Sequence, residues 1–416
     1  MLRSLSVRVL VALLAGLALG AAAAAFGGEG VRQAITVVES VGGLWLNALR
    51  MTVVPLIFAV LVTGIAGVAD AAATGRLAGK ALAWFAGLMT LGAVFALVFA
   101  QGVYALWPVT GAAAAALRAG ATAAPDVAKA APSFIGFITG LAPANAIKAA
   151  AEDAILPLVV FASFFGFAVT RLPEARRQAF TGFFESLGEV MVTIVRWVLW
   201  AAPVGVFALA LGVGLRAGVG AAGVIVHYVT VIVLGNIGMT LVAYLVAVTV
   251  ARVPLGRWLR AVAPVQVTAF ATQSSLACLP AMIERTRDEL GVPDRVGGLV
   301  LPLAVSVFRI TGPVANFGVA LFVAQVYGVH PGAMQYAGAT LVAVATSMAS
   351  VGLPGQVSFF TSIAPICLTL GVPLDLLPIL IAVEVIPDIF RTVGNVTADM
   401  AVTAVLARGE TLAVPA

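Results

Sequence analysis

Charge is what this chain of 416 residues has least of: lysine, arginine, aspartate and glutamate together make up 10% of it, against 62% hydrophobic residues. A soluble domain carries about a quarter of its residues charged, so a water-exposed globule is excluded. The mean hydropathy of +1.11 says the same. Cysteine is nearly absent too. Cys278 and Cys367 both lie in apolar surroundings and read as small buried hydrophobes, so neither a disulfide framework nor redox chemistry is expected. The two histidines, His227 and His330, stand far along the chain from Ser274 and Ser275, which leaves those serines without a base to activate them and argues against a hydrolase. The net charge of +5 forms no patch: its cations are scattered over short connections, so no nucleic-acid partner is expected.

What fills the chain instead is a succession of apolar runs of about 18 residues or more, the length a helix needs to cross the hydrocarbon layer. In lipid the backbone must satisfy its own hydrogen bonds, and helices do that one segment at a time. The fold class is therefore an all-α polytopic membrane protein. Run length and flanking charge place spans near 5–26, 43–69, 81–107, 154–171, 185–213 and 222–250. The N-terminal run has the arginine-then-apolar order of a signal peptide, but its length and the hydrophobic segment close behind it favour a retained helix.

With the N-terminus in the cytoplasm, the inside loops hold Arg3, Arg8, Arg76, Lys80, Arg171, Arg176, Arg177, Arg252, Arg257 and Arg260, whereas the outside loops hold few cations. That asymmetry obeys the positive-inside rule. It predicts a protein of the plasma (inner) membrane with both termini in the cytoplasm and the lipid bilayer as its surroundings.

Beyond residue 255 simple hydropathy counting fails. "TAFATQSSLACLPAM" (268–282) and "ATSMASVGLPGQVSF" (345–359) are apolar segments interrupted by small and polar residues, each followed by a long helix, near 297–326 and 376–406. Corresponding interrupted segments in two halves point to inverted repeats with a binding site between them. A pair of kinked helices is the plainer alternative.

The second long helix carries "IPDIFRTVGNVTADM". Glu384, Asp388, Arg391, Asn395 and Asp399 are spaced by 4, 3, 4 and 4 residues and so line one stripe, with Thr392 beside it. Ionisable groups inside a membrane are costly and face a partner, a cavity or a pathway. Asp388 and Arg391 could neutralise each other, yet one arginine cannot neutralise three carboxylates. An arginine fork suits a carboxylate, an aspartate suits an ammonium, and an asparagine both donates and accepts. The stripe thus describes a site for a small zwitterion with an extra carboxylate.

These residues resemble the dicarboxylate/amino acid:cation symporters, the family of the glutamate transporters. "FRTVGNVTADM" is similar to the family's R-T-x-x-N-V-x-x-D signature. "LRMTVVPLIFAVLVTGIAG" from Leu49, "ILPLVVFASFFGFAV" from Ile155, "APVGVFALAL" from Ala202, "ATQSSLACLP" and "SVGLPG" resemble other family segments in the same order, so the likeness covers nearly the whole chain. It implies eight transmembrane helices plus two re-entrant hairpins, a homotrimer and an elevator movement. A scaffold would come mainly from 1–80 and 154–250. A transport part would come mainly from 81–107 and 255–408, with hairpins near 258–292 and 337–372. It implies substrate contacts at Ser274, Ser275, Gly352, Leu353, Asp388, Arg391, Thr392 and Asn395, and no cofactor beyond a sodium ion or proton as coupling ion. Asp388 favours aspartate or glutamate; a C4-dicarboxylate symporter is the alternative.

The likeness departs in the first hairpin, where Leu276 replaces the family's third serine, and most clearly in the helix from about 297. Where the family has N-M-D-G-T, this chain has "FRITG" (308–312), and Phe308 and Ile310 offer no side-chain oxygen to sodium, a hard cation. "AGLMTL" around Thr90 keeps at most one of the hydroxyls that the family adds there. Arg309 could act as a tethered cation within a group that includes Ser306, Ser347, Ser350, Glu384 and Asp399, or it could pair permanently with Glu384 or Asp399. A unit charge about 4 Å from a carboxylate is worth roughly 4 kcal/mol at an effective dielectric of about 20. Sodium coupling is therefore expected to be reduced or lost, with a residual sodium site at Asn395 and Asp399 weakened.

Overall fold

The computed structural model describes residues 5–73, 75–109, 114–115, 142–152, 154–217, 220–349 and 355–411. Ser350, Gly352 and Leu353 fall outside them. No β-strand occurs among the described residues. The first helices are α1 (Leu5–Phe26), α2 (Glu29–Arg50), α3 (Val53–Ala73) and α4 (Arg76–Leu106). They are followed by the short α5 (Ala146–Ala151), α6 (Ile155–Val169), α7 (Glu174–Trp200), α8 (Ala202–Ala217) and α9 (Gly220–Leu245), which runs on into a π-turn at Val246–Val250.

Two of the expected spans need correction. The run near 43–69 belongs to a longer stretch, Glu29–Gly67, interrupted by a turn at Met51 and Thr52. Its first half is amphipathic, so an apolar-run criterion does not register it: Glu39 is buried there in a two-pronged ion pair with Arg216 of α8. The run near 185–213 is two helices, α7 and α8, bent by 57°. Length and composition single out four spans among the described residues, or five counting the bent pair.

Helix α1 lies against α8 where Gly16 and Gly20 meet the backbone of residues 207–215 so closely that any side chain there would collide. Small residues let helix backbones approach in lipid, where the hydrophobic effect does not drive association. Helix α2 also packs on α8, and α3 packs on α6 and α7. Trp45 Nε1 donates to the Val198 carbonyl at 2.8 Å and ties α2 to α7.

The C-terminal half comprises α10 (Leu255–Thr272), α11 (Ser275–Leu290), α12 (Asp294–Val307), α13 (Thr311–Tyr327), α14 (Ala333–Ala349) and α15 (Gly355–Leu370), then a single turn α16 (Leu377–Leu380) and α17 (Val385–Thr411). Helices α9, α10, α11, α12 and α13 all pack on α17, and α4 packs on α13. Helix α9, which the family likeness groups within the segment 154–250, packs along the polar helix.

Candidate functional site

Helix α17 positions the polar stripe. Its start is built in steps: a 3₁₀ turn at Ile381–Val383 leads into Glu384, whose N–H donates to the Ile381 carbonyl at 3.3 Å. The Asp388 N–H then donates to the Glu384 carbonyl at 2.9 Å. Glu384, Asp388, Arg391, Thr392, Asn395 and Asp399 are all buried, Glu384 and Asp399 completely. Buried charge demands partners, and the stripe supplies some itself. Arg391 Nη2 donates to Glu384 Oε1 at 2.5 Å, and Nη1 lies 3.9 Å from Asp388 Oδ1. The Tyr228 hydroxyl of α9 donates to the second oxygen of Glu384 at 3.3 Å. Arg391 Nε is buried with no hydrogen-bond partner among the described residues. Thr392 directs its hydroxyl back to the Asp388 carbonyl at 2.9 Å.

Facing this stripe is a break that the sequence did not announce. The segment near 297–326 is not one helix but α12 and α13, separated by Phe308, Arg309 and Ile310. Phe308 leaves the helical path, with φ −101° and ψ 114°, and stacks on Phe85 of α4 with ring centroids 4.6 Å apart. Gly92 of α4 leaves room for the Ile310 carbonyl beside it. Opening a helix frees N–H groups at the start of the next one. Here the Thr311 N–H donates to Asn395 Oδ1 at 3.1 Å, and the Thr311 hydroxyl lies 2.8 Å from the same oxygen and 2.9 Å from the Arg391 carbonyl. The backbone donor fixes which end of the Asn395 amide is oxygen.

Arg309 is half-buried with its Nε enclosed and unbonded, within electrostatic range of Asp388 and Asp399 and of Arg391. Glu384 is therefore answered by Arg391 and Tyr228, not by Arg309. Both oxygens of Asp399 are buried and accept no hydrogen bond among the described residues. Three carboxylates thus face two guanidinium groups.

The first interrupted segment is two helices meeting at Gln273, in left-handed conformation at φ +52°, and Ser274 caps α11 by accepting from the Ala277 N–H at 3.3 Å. Ser275, the first residue of α11, is half-buried. Gln266 of α10 donates to Thr397 of α17 at 2.8 Å, fastening this pair of helices to the polar helix. Helices α14 and α15 flank the second interruption. Ser347 near the end of α14 is fully buried against Gly312, where an added Cβ would lie 3.0 Å from the Ser347 hydroxyl and 3.4 Å from Arg309 Cβ.

Two sequence-derived candidates are not brought together with these. Ser306 is exposed and donates to the Pro302 carbonyl of its own helix at 2.8 Å. Thr90 is also exposed and bonded within α4. It turns toward a cavity of about 320 Å³ lined by Leu61, Phe167, Leu341 and Met348, while Met89 and Gly92 are the buried positions of that turn. Tyr228, Thr311 and Phe85 take part in the site without having been singled out. The one signal for Thr311 was its place in the divergent "FRITG".

At Asn395 and Asp399, the pair expected to keep a residual sodium site, the side-chain oxygens differ in their partners. The Asn395 oxygen is already an acceptor for Thr311, and Phe308 and Ile310 are buried apolar groups. No cluster of three or more His, Cys, Asp or Glu able to hold a metal occurs among the described residues. The two Asp399 oxygens stay without a hydrogen-bond donor among the described residues.

Helices long enough to span a bilayer, packed around buried carboxylates and arginines at a broken helix, suit a secondary transporter. Residues 5–409 match the sodium:dicarboxylate symporter family, to which the chain belongs. It is a transporter, not an enzyme. Among similar proteins are a proton/glutamate-aspartate symporter of Escherichia coli, 27% identical over 98% of this chain and 93% of the relative, and a C4-dicarboxylate transport protein of Rhizobium leguminosarum, 29% identical over 98% and 89%. A neutral amino acid transporter A of Homo sapiens is 31% identical over 93% of this chain and 78% of its own.

Proposed function

We propose that the protein carries acidic amino acids, aspartate or glutamate, across the plasma (inner) membrane with sodium coupling reduced or lost, Arg309 serving as a tethered cation beside Asp399. The observation that carries this reading is at Asp399, where the only positive charge within range among the described residues is Arg309, while the neighbouring Asn395 side-chain oxygen accepts from Thr311. A tethered charge cannot dissociate, so it stabilises the closed site without drawing on an ion gradient. Proton coupling through Glu384 or Asp399, or simple exchange, then remains as the driving mode; the name of the Escherichia coli relative supports a proton.

In this reading the substrate lies among Ser274, Ser275, Gly352, Leu353, Asp388, Arg391, Thr392 and Asn395. Asp388 takes an ammonium group and Arg391 a carboxylate. The chain has eight spans and two re-entrant hairpins, both termini in the cytoplasm, and works as a homotrimer in which the part around α17 moves as an elevator against α1–α3 and α6–α8. A second reading, C4-dicarboxylate symport, has one feature in its favour. Arg309 and Arg391 both lie near Asp388, and a carboxylate already answered by arginine has less need of a substrate ammonium.

The deciding experiment is uptake of radiolabelled aspartate into proteoliposomes under a sodium gradient, a proton gradient or neither, with succinate as competitor. Uptake indifferent to sodium is expected. Full dependence on sodium overturns the tethered-cation reading, and stronger competition by succinate than by glutamate moves the substrate to a dicarboxylate.

A further inference from the structure

Away from the stripe, positive charge collects at one corner of the molecule with no carboxylate to answer it. Arg408, near the end of α17, donates through Nη1 to the Val250 carbonyl at 3.0 Å, where the π-turn after α9 stops. Arg252, two residues on, turns the chain in a left-handed conformation at φ +57°, and α10 begins at Leu255. Arg257 and Arg260 stand in its first turns, three residues apart and so on one side of the helix. Helix α17 packs on both the π-turn and α10, which keeps the four arginines at the same end. Arg252, Arg257 and Arg260 are exposed, and none of the four makes an ion pair among the described residues. The sequence supplies no counter-charge along this stretch either: residues 190–283 contain no aspartate or glutamate.

From that corner α10 runs toward Gln273 with an apolar outer face. Leu259, Ala263, Val267 and Phe270, spaced by 4, 4 and 3 residues, are all exposed, Val267 by 70% and Phe270 by 56%. The opposite face carries Trp258, Ala261, Val262, Val265 and Ala269, all buried. Helical side chains lean toward the helix N-terminus, so the guanidinium groups of Arg257 and Arg260 reach back to the corner while their stems lie over the turn before them. Cations without a counter-charge therefore stand at the head of the helix, and a strip of hydrocarbon runs down from them.

We propose that this face of α10 binds an anionic phospholipid of the cytoplasmic leaflet, with its phosphate on Arg252, Arg257, Arg260 and Arg408 and one acyl chain along Leu259, Ala263, Val267 and Phe270. Guanidinium forks hold phosphate through two bonds at once, and arginine clusters beside a membrane helix draw anionic headgroups. A soluble anion uses the arginines and leaves the strip uncovered. A second copy of the chain covers the strip and leaves the arginines unanswered. A lipid answers both. The proposal takes from the reading above only that this end faces the cytoplasm, and nothing about substrate or coupling ion.

Native mass spectrometry of the full-length protein tests it, with phosphatidylglycerol or phosphatidylcholine added to the detergent solution and no aspartate present. Wild type is expected to retain phosphatidylglycerol in preference to phosphatidylcholine. Arg257→Gln combined with Arg260→Gln should lower phosphatidylglycerol retention by about tenfold or more, because each cation beside the headgroup adds to the attraction. Val267→Gln combined with Phe270→Gln should lower it as well, through the chain rather than the headgroup. All four positions are exposed, and an unfolding temperature in lipid-free detergent equal to that of wild type shows that a loss of lipid is not a loss of fold. Equal retention of the two lipids by wild type overturns the proposal, as does an arginine variant that keeps phosphatidylglycerol. Displacement of the lipid by inorganic phosphate marks a free-anion site and overturns it too. A change of oligomer mass in the Val267 and Phe270 variant marks the strip as a contact between copies, with the same consequence. None of these outcomes depends on which gradient drives uptake.

Discussion

Thr311 gives its backbone N–H to Oδ1 of Asn395 at 3.1 Å and sets its hydroxyl 2.8 Å from the same oxygen, sharing that one proton with the Arg391 carbonyl at 2.9 Å. Two residues 84 positions apart thereby close a broken helix onto the polar one. Replacing Thr311 with Val keeps the amide bond and removes the hydroxyl that Asn395 Oδ1 and the Arg391 carbonyl share. A buried hydrogen bond lost in this way costs about 1–3 kcal/mol, so thermal unfolding in detergent should shift downward. Asn395→Ala should cost more, because it strands the Thr311 amide as well.

Arg309→Met leaves Asp388 and Asp399 with one fewer positive charge. Substrate affinity should fall by about tenfold or more, equivalent to about 1.4 kcal/mol, measured by calorimetric titration with aspartate. Adding Asp399→Asn to the same chain should recover part of the loss, because contacting charges do not act additively. An unchanged affinity in the single variant would make Arg309 purely structural.

Glu384→Ala should be among the most damaging changes in the chain. It removes the 2.5 Å partner of a buried guanidinium, and breaking a buried ion pair costs about 3–5 kcal/mol. The fold should lose cooperative unfolding, whereas Glu384→Gln, which keeps an acceptor for Arg391, should retain much of it.

Glu39 and Arg216 offer a contrast far from the stripe. Glu39 is buried and Arg216 about a third exposed, so the loss on Glu39→Gln should be moderated by solvent to about 2 kcal/mol. The measurement is paired: a lower unfolding temperature with unchanged aspartate affinity. A change in affinity would mean that α2 and α8 report on the site.

Gly394 sits where α17, α13 and α9 meet. A Cβ there would lie 2.5 Å from Thr311 Cγ2 and 2.8 Å from Thr240 Oγ1. Gly394→Ala should cost about 1–3 kcal/mol by overpacking and, by pushing Thr311 off Asn395, should weaken substrate binding as well.

By itself the sequence determined the membrane class, because hydropathy is additive along the chain. It also determined the polar stripe, because spacings of 4, 3, 4 and 4 leave one face of a helix whatever surrounds it. The family likeness was legible in "FRTVGNVTADM" for the same local reason. Only the tertiary structure decided the rest. The break at Phe308–Ile310 is invisible to hydropathy, since both end residues are apolar; it exists because Phe85 receives the Phe308 ring and Asn395 receives the Thr311 amide from elsewhere in the chain. The placing of α9 along α17, the turning of Thr90 and Ser306 away from the stripe, and the choice of Arg391 over Arg309 as partner of Glu384 were likewise settled by packing. Charge in a membrane is expensive wherever it stands, but which opposite charge answers it depends on distances that no linear spacing records.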